Sequence, residues 1–159
     1  MDALRARAIA FDVVPGVSSF FAAAAALNAE YTLPGVTQTV IISRMAGRTP
    51  VPEKESVRAL ASHGATMVLF LSVSLIGQLA TELMEGGYEK DTPAAVVYKA
   101  SWPEQLVVRG TVGSIAKLAH ERGISKTALV LVGRFLGDDY ELSKLYDERF
   151  SHGYREAKA

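Results

Sequence analysis

Short apolar runs alternate with amphipathic stretches along this chain. Residues 66–71, 93–98 and 128–132 are almost uninterrupted apolar runs of strand length, the pattern of strands buried on both faces. The β-branched stretch 37–43 predicts another strand, and the alternating stretch 105–110 predicts an antiparallel neighbour of 93–98. Residues 9–14, closed by Pro15 and Gly16, read as a further short strand.

Between the strands the period changes to that of a helix. Leu75, Leu79 and Leu83, with Ile76 and Ala80, share one helical face that ends at Gly86 and Gly87. Val57, Leu60 and Ala61 lie on one face of a helix expected over 53–62, and a helix over 114–122 stops at Gly123. Ser18 or Ser19 can cap a helix that runs through Phe20, Phe21 and the alanines 22–26. Residues 1–8 read as the end of a helix, with Arg5 and Arg7 in its last turn. A turn is expected at 32–35, and 47–52 must be a surface loop, because its two prolines and its glycine break both ladders. From Asp138 onward the chain is polar and charged. The predicted fold is α/β: an open mixed sheet of about five strands with helices on both faces.

Composition narrows the function classes. The chain has 159 residues, 49% hydrophobic and 21% charged, as in soluble globular proteins. Lys+Arg and Asp+Glu are both 17, a net charge of +0, so the basic excess that draws nucleic acid or a membrane surface is missing and neither partner is expected. Cysteine is absent, which excludes disulfides, thiolate metal sites and a cysteine nucleophile. His63, His120 and His152 are too far apart in sequence for a ligand motif, so no metal site is expected. No apolar run reaches the roughly 18 residues of a membrane span. The first residues lack the apolar core of a signal peptide, and cytoplasm is the expected location.

Glycine-rich nucleotide motifs of the GxGxxG and GxxxxGK[ST] types do not occur, and Ser72 and Ser74 have no His/Asp partners at a recognisable spacing. No residue is assigned a catalytic role. Three places could hold a ligand. The Pro15–Gly16–Val17–Ser18–Ser19 junction offers backbone N–H groups and hydroxyls at a helix start, which serve equally as a plain cap. Residues 70–74 and 98–103 follow buried strands at their carboxyl ends, where open α/β sheets bind ligands, and two such ends side by side would make one pocket, although loop anchoring or a stack of Trp102 on Pro103 would use the same residues. Arg44 and Arg48 flank the 47–52 loop and either grip carboxylates or stand solvated.

At this point the residues resemble a known family. Val14-Pro15-Gly16-Val17-Ser18-Ser19 before an alanine-rich helix is similar to the tetrapyrrole methylases, the S-adenosylmethionine-dependent enzymes of corrin and sirohaem synthesis. Residues 37–44, 47–53 and 97–103 narrow the resemblance to the precorrin-4 and cobalt-precorrin-4 C-11 methyltransferases, as does Tyr140-Glu141-Leu142-Ser143-Lys144-Leu145-Tyr146-Asp147, continuing through Phe150-Ser151-His152 to Tyr154-Arg155. It covers essentially the whole chain.

The resemblance implies a bilobal enzyme with S-adenosylmethionine folded into the cleft between two α/β domains. It puts cofactor contacts on Ser18, Ser19, Leu71 and Ala100, and it gives Arg44, Arg48 and Lys99 a role toward a carboxylate-bearing tetrapyrrole. The family's first domain, with its Gly-Asp-Pro segment, is not in this sequence. The chain is therefore expected to be the C-terminal part of the enzyme, inactive alone. Residues 1–14 would be the end of an inter-domain helix and a connecting strand, 15–137 the C-terminal α/β domain and 138–159 a polar tail. The alternative is a non-catalytic binding or dimerisation module that keeps the fold. A homodimer is implied, with the apolar tail residues Leu145, Tyr146 and Phe150 suited to an interface.

Overall fold

The computed structural model describes residues 1–143, 147, 149–151, 153, 154 and 156. Five strands, β1 (Val40–Arg44), β2 (Thr66–Phe70), β3 (Pro93–Tyr98), β4 (Leu106–Thr111) and β5 (Ala128–Val132), form one sheet in the order β1-β2-β5-β3-β4. β1 and β2 are parallel, whereas β5 runs antiparallel to both β2 and β3, and β4 antiparallel to β3. The sheet is therefore mixed and open, as the alternation of runs predicted. Strands β1, β2 and β3 end on the same side, where β5 begins.

Strict alternation inside the apolar runs explains why they are continuous. In β5, Ala128, Val130 and Val132 enter one core, while Leu129 and Leu131 enter the other. One face is covered by α3 (Val57–Ala61), α4 (Ile76–Glu85) and α5 (Ile115–Glu121), through Val57, Ile76, Leu79, Leu83 and Ile115. The other is covered by α2 (Ser19–Leu27), whose Ala23 and Leu27 pack with Tyr31, Leu33 and Phe135. The alanine run lets α2 lie close to the sheet: Ala23 is fully buried and Ala24 and Ala26 pack partly against the core. Each large apolar side chain buried in this way contributes roughly 1.5–3 kcal/mol.

Several boundaries differ from the sequence expectation for local reasons. Residues 9–14 form no strand: they have no regular structure and are mostly exposed, Val14 to 87%, with no neighbouring strand among the described residues to receive their N–H and C=O groups. The short helix before them, α1 (Asp2–Arg5), is closed by Ala8 at φ 53°. β1 starts at Val40 and not at 37, because Thr37 bridges back to Leu33 and exchanges side-chain bonds with Thr39. The helix expected over 53–62 is divided at Ser56, whose extended backbone and hydroxyl cap the Ala59 N–H and start α3 afresh. β2 stops at Phe70, since Leu71 takes a left-handed φ of 52°. In the tail, Lys144, Leu145, Tyr146, Glu148, His152 and Arg155 lie outside the described residues. No helix of the described residues is long and apolar enough to cross a membrane.

Two buried tyrosines fasten loops to this frame. The Tyr31 hydroxyl donates to Phe20 O at 2.6 Å, and the Tyr88 hydroxyl donates to Ala65 O. Burial pushes both phenols up to about 12. The unfolded chain ionises its tyrosines near pH 10, before the folded chain does, so the stabilisation is complete below pH 10 and is lost as pH rises toward 12. We expect unfolding free energy, measured by urea titration, to fall steeply between these values, and Tyr88→Phe to make the fall shallower.

Candidate functional site

Where β2 and β3 end and β5 begins, the chain encloses an open cavity of about 350 Å³. Ser19 from the start of α2 lines it, with Leu71 beyond β2, Lys99 and Ala100 beyond β3, and Thr127 and Ala128 at the start of β5. Most of the wall is apolar, and Phe70, Val73, Leu129 and Trp102 belong to it. A site of this kind accepts a ligand with an apolar body and a few polar points.

Backbone geometry around the cavity is unusual. Leu71, Lys99, Ser101 and Thr127 have φ of 52°, 46°, 72° and 54°. L-residues with side chains avoid this region, at a cost on the order of 1–3 kcal/mol each. Three of them, Leu71, Lys99 and Thr127, line one cavity, and Ser101 follows directly on its lining residue Ala100, which marks this as the place where packing sacrifices local comfort. The left-handed turns swing the chain away from the sheet and leave Leu71 82% exposed, facing the cavity. The exit of β3 and the entry of β5 are tied together, since Lys99 N–H donates to Thr127 O at 2.9 Å.

The sequence-derived candidates divide. Ser19, Leu71, Lys99 and Ala100 share the cavity wall. Ser18 is one residue earlier, and its hydroxyl is the N-cap acceptor for Phe20 N–H at 3.2 Å, which is the plain capping role. The Arg44 guanidinium donates to the carbonyls of Met45, Thr49 and Pro50 at 3.1, 3.2 and 3.1 Å. It therefore braces the Gly/Pro loop from within, while Arg48 is exposed on that loop. Neither arginine lines the cavity.

Lys99 is already engaged. Its ammonium lies 3.3 Å from Glu104 and about 5 Å from the centres of the Tyr98 and Trp102 rings, at 5.4 and 5.1 Å. Desolvation opposes the charge, but the Glu104 hydrogen bond and charge, with Tyr98, outweigh it and raise the lysine pKa. The Glu104 carboxyl is lowered by its own backbone N–H and then by Lys99. An incoming carboxylate at Lys99 would compete with Glu104. Trp102 thus packs over a cation, which the reading of a stack on Pro103 did not foresee.

Sequence reasoning placed the ends of β2 and β3 side by side. In the structure β5 lies between them, so residues 125–129 become part of the wall. The signal available was a polar Ser125-Lys126-Thr127 stretch before a buried strand, but only strand order says which cavity it faces.

The geometry can now be set beside known proteins. Residues 1–116 match the family model for tetrapyrrole (corrin/porphyrin) methylases. The chain belongs to this family. A cobalt-precorrin-4 C(11)-methyltransferase of Methanocaldococcus jannaschii is 52% identical over 158 residues, covering 99% of this chain and 61% of that protein. One from Priestia megaterium is 46% identical over 160 residues, covering 98% and 62%. Among solved structures, a cobalt precorrin-4 methyltransferase superposes with a TM-score of 0.83 at 45% identity, over 86% of this chain and 57% of that one. The chain thus spans about three fifths of the length of the curated relatives it matches, 61% and 62%. Its open mixed sheet with helices on both faces is part of the tetrapyrrole methylase fold.

Proposed function

We propose that this chain forms one wall of the S-adenosylmethionine site of a precorrin-4 or cobalt-precorrin-4 C-11 methyltransferase acting in cobalamin synthesis, in the cytoplasm and as a homodimer. The observation that carries the reading is the single concave wall lined by Ser19, Leu71 and Ala100 in a chain of this family. The residues present suit the group. Ala100 leaves room for a flat ring, Leu71 and Leu129 give apolar contact, and the turn at Leu71 breaks the β2 ladder, leaving main-chain groups beside the cavity.

When bound, the sulfonium supplies an activated methyl: a carbon of the tetrapyrrole forms the new C–C bond as the C–S bond breaks, and S-adenosylhomocysteine leaves. What the chain contributes is alignment and exclusion of water, not a strong base. Arg48 suits steering of the substrate's carboxylates, whereas Arg44 acts mainly by holding the loop that carries Arg48. Phe150, exposed in the tail, suits the dimer contact.

Calorimetric titration of the chain with S-adenosylhomocysteine is the test: saturable binding at one site per chain is expected, and no heat at millimolar ligand would overturn the reading. A polycarboxylated porphyrin, followed by its visible absorption, should bind about three- to tenfold more weakly to Arg48→Glu, and less so as salt is added, because an exposed charge contributes about 1 kcal/mol and is screened. Equal affinity would remove Arg48 from the substrate face.

A further inference from the structure

Ser72 follows Leu71 directly and is fully buried. It occupies the N-cap position of the short 3-10 turn Val73–Leu75, yet its hydroxyl makes no cap; the turn is closed by backbone alone, Leu75 N–H to Ser72 O. The hydroxyl instead donates to Phe70 O at 2.7 Å and accepts Met45 N–H at 2.8 Å. The first bond spans Leu71 and closes a small ring around its left-handed backbone. The second reaches across to the residue just beyond β1, itself buried, whose carbonyl is held by Arg44. A buried serine that forgoes its cap to bridge two strand exits has been given another task.

We infer that Ser72 is a positioning residue: its hydroxyl clips the exits of β1 and β2 together and so holds Leu71 in the strained conformation that presents it to the cavity. The physical argument is that the side chain of Leu71 does little to resist relaxation. Its side chain is largely exposed, so packing exerts little hold on it, and an L-residue released at that φ returns toward the extended region. Ser72→Ala leaves Met45 N–H without its acceptor and Phe70 O without its donor, while removing only one oxygen from the core. The loop that Arg44 braces is anchored through the same Met45, so the clip also fixes the start of the Gly/Pro loop relative to the cofactor wall. The role in cofactor binding rests on the function proposed above; the clip itself does not.

The test compares Ser72→Ala with Tyr88→Phe, which also removes one buried hydroxyl bond but at the opposite end of β2, on Ala65 O. In the ligand-free chain, hydrogen exchange by NMR should show the Met45 amide at least tenfold faster in Ser72→Ala, with an altered three-bond HN–Hα coupling at Leu71; Tyr88→Phe should leave both unchanged. In the titration with S-adenosylhomocysteine, Ser72→Ala should bind at least tenfold more weakly and Tyr88→Phe as the parent does. Parent-like affinity in Ser72→Ala overturns the positioning role while leaving the cofactor reading intact. If the parent chain does not bind, the cofactor reading falls, and the clip is then judged by exchange and coupling alone: unchanged values overturn it and changed values support it.

Discussion

Ala100→Phe is expected to abolish binding of S-adenosylhomocysteine, weakening it by at least a hundredfold, or about 2.7 kcal/mol. Ala100 sits just past β3, between the left-handed Lys99 and Ser101, and its methyl forms part of the cavity wall. A phenyl ring attached there has two directions to go. Toward the sheet it meets the occupied core that includes Leu129, against which Ala100 packs; toward the cavity it takes the space intended for ligand. The second costs the fold little, because the cavity is open on that side. The expected signature is therefore loss of binding with a melting temperature within a few degrees of the parent, checked by calorimetry and thermal unfolding on one preparation. Retained affinity would mean that the ligand does not lie against Ala100.

The second large effect is on stability. Gly86→Ala should destabilise the chain by about 3 kcal/mol, or roughly 6–12 °C in melting temperature for a chain of this size. The reason is proximity and not backbone freedom. A Cβ at Gly86 would lie 2.4 Å from Arg58 O and 2.5 Å from the Ala61 Cβ. Neither can step aside without moving α3 as a whole, because one is backbone and the other is a methyl fixed to it. The change would separate α3 from α4 and open the core beneath, where Val57, Ala61 and Leu83 meet. Thermal unfolding of the two chains decides it; a shift below 2 °C would show that the helices accommodate the methyl. Gly87→Ala acts by a different route, since its φ of 119° is the constraint and nothing lies within 4 Å of its Cβ.

This pair of glycines shows where sequence reading ends. Gly86-Gly87 after an apolar stripe marked the end of a helix, and α4 does end there. That Gly86 also marks a close crossing with α3 could not be read, because residues 58 and 86 meet only through packing. Strand existence was legible for the same reason that helix ends were. In β3 and β5 each successive residue enters an opposite core, so burial on both faces is written locally as a continuous apolar run. The short apolar run at 9–14, closed by Pro15 and Gly16, misled because an apolar run alone does not supply a hydrogen-bonding neighbour.

At the site the division is similar. Strand ends at Leu71 and Ala100, and the serine pair opening α2, were visible as positions where a run of one period stops. Which of the serines reaches the cavity, that Arg44 turns inward to loop carbonyls, and that Lys99 already has Glu104 as its partner were all settled by three-dimensional packing. The insertion of β5 between β2 and β3 decided the rest. Local periodicity determines what each segment becomes, since it records burial residue by residue; the order of strands, and with it the residues brought to one cavity, depends on contacts between segments far apart in the chain, which no local pattern encodes.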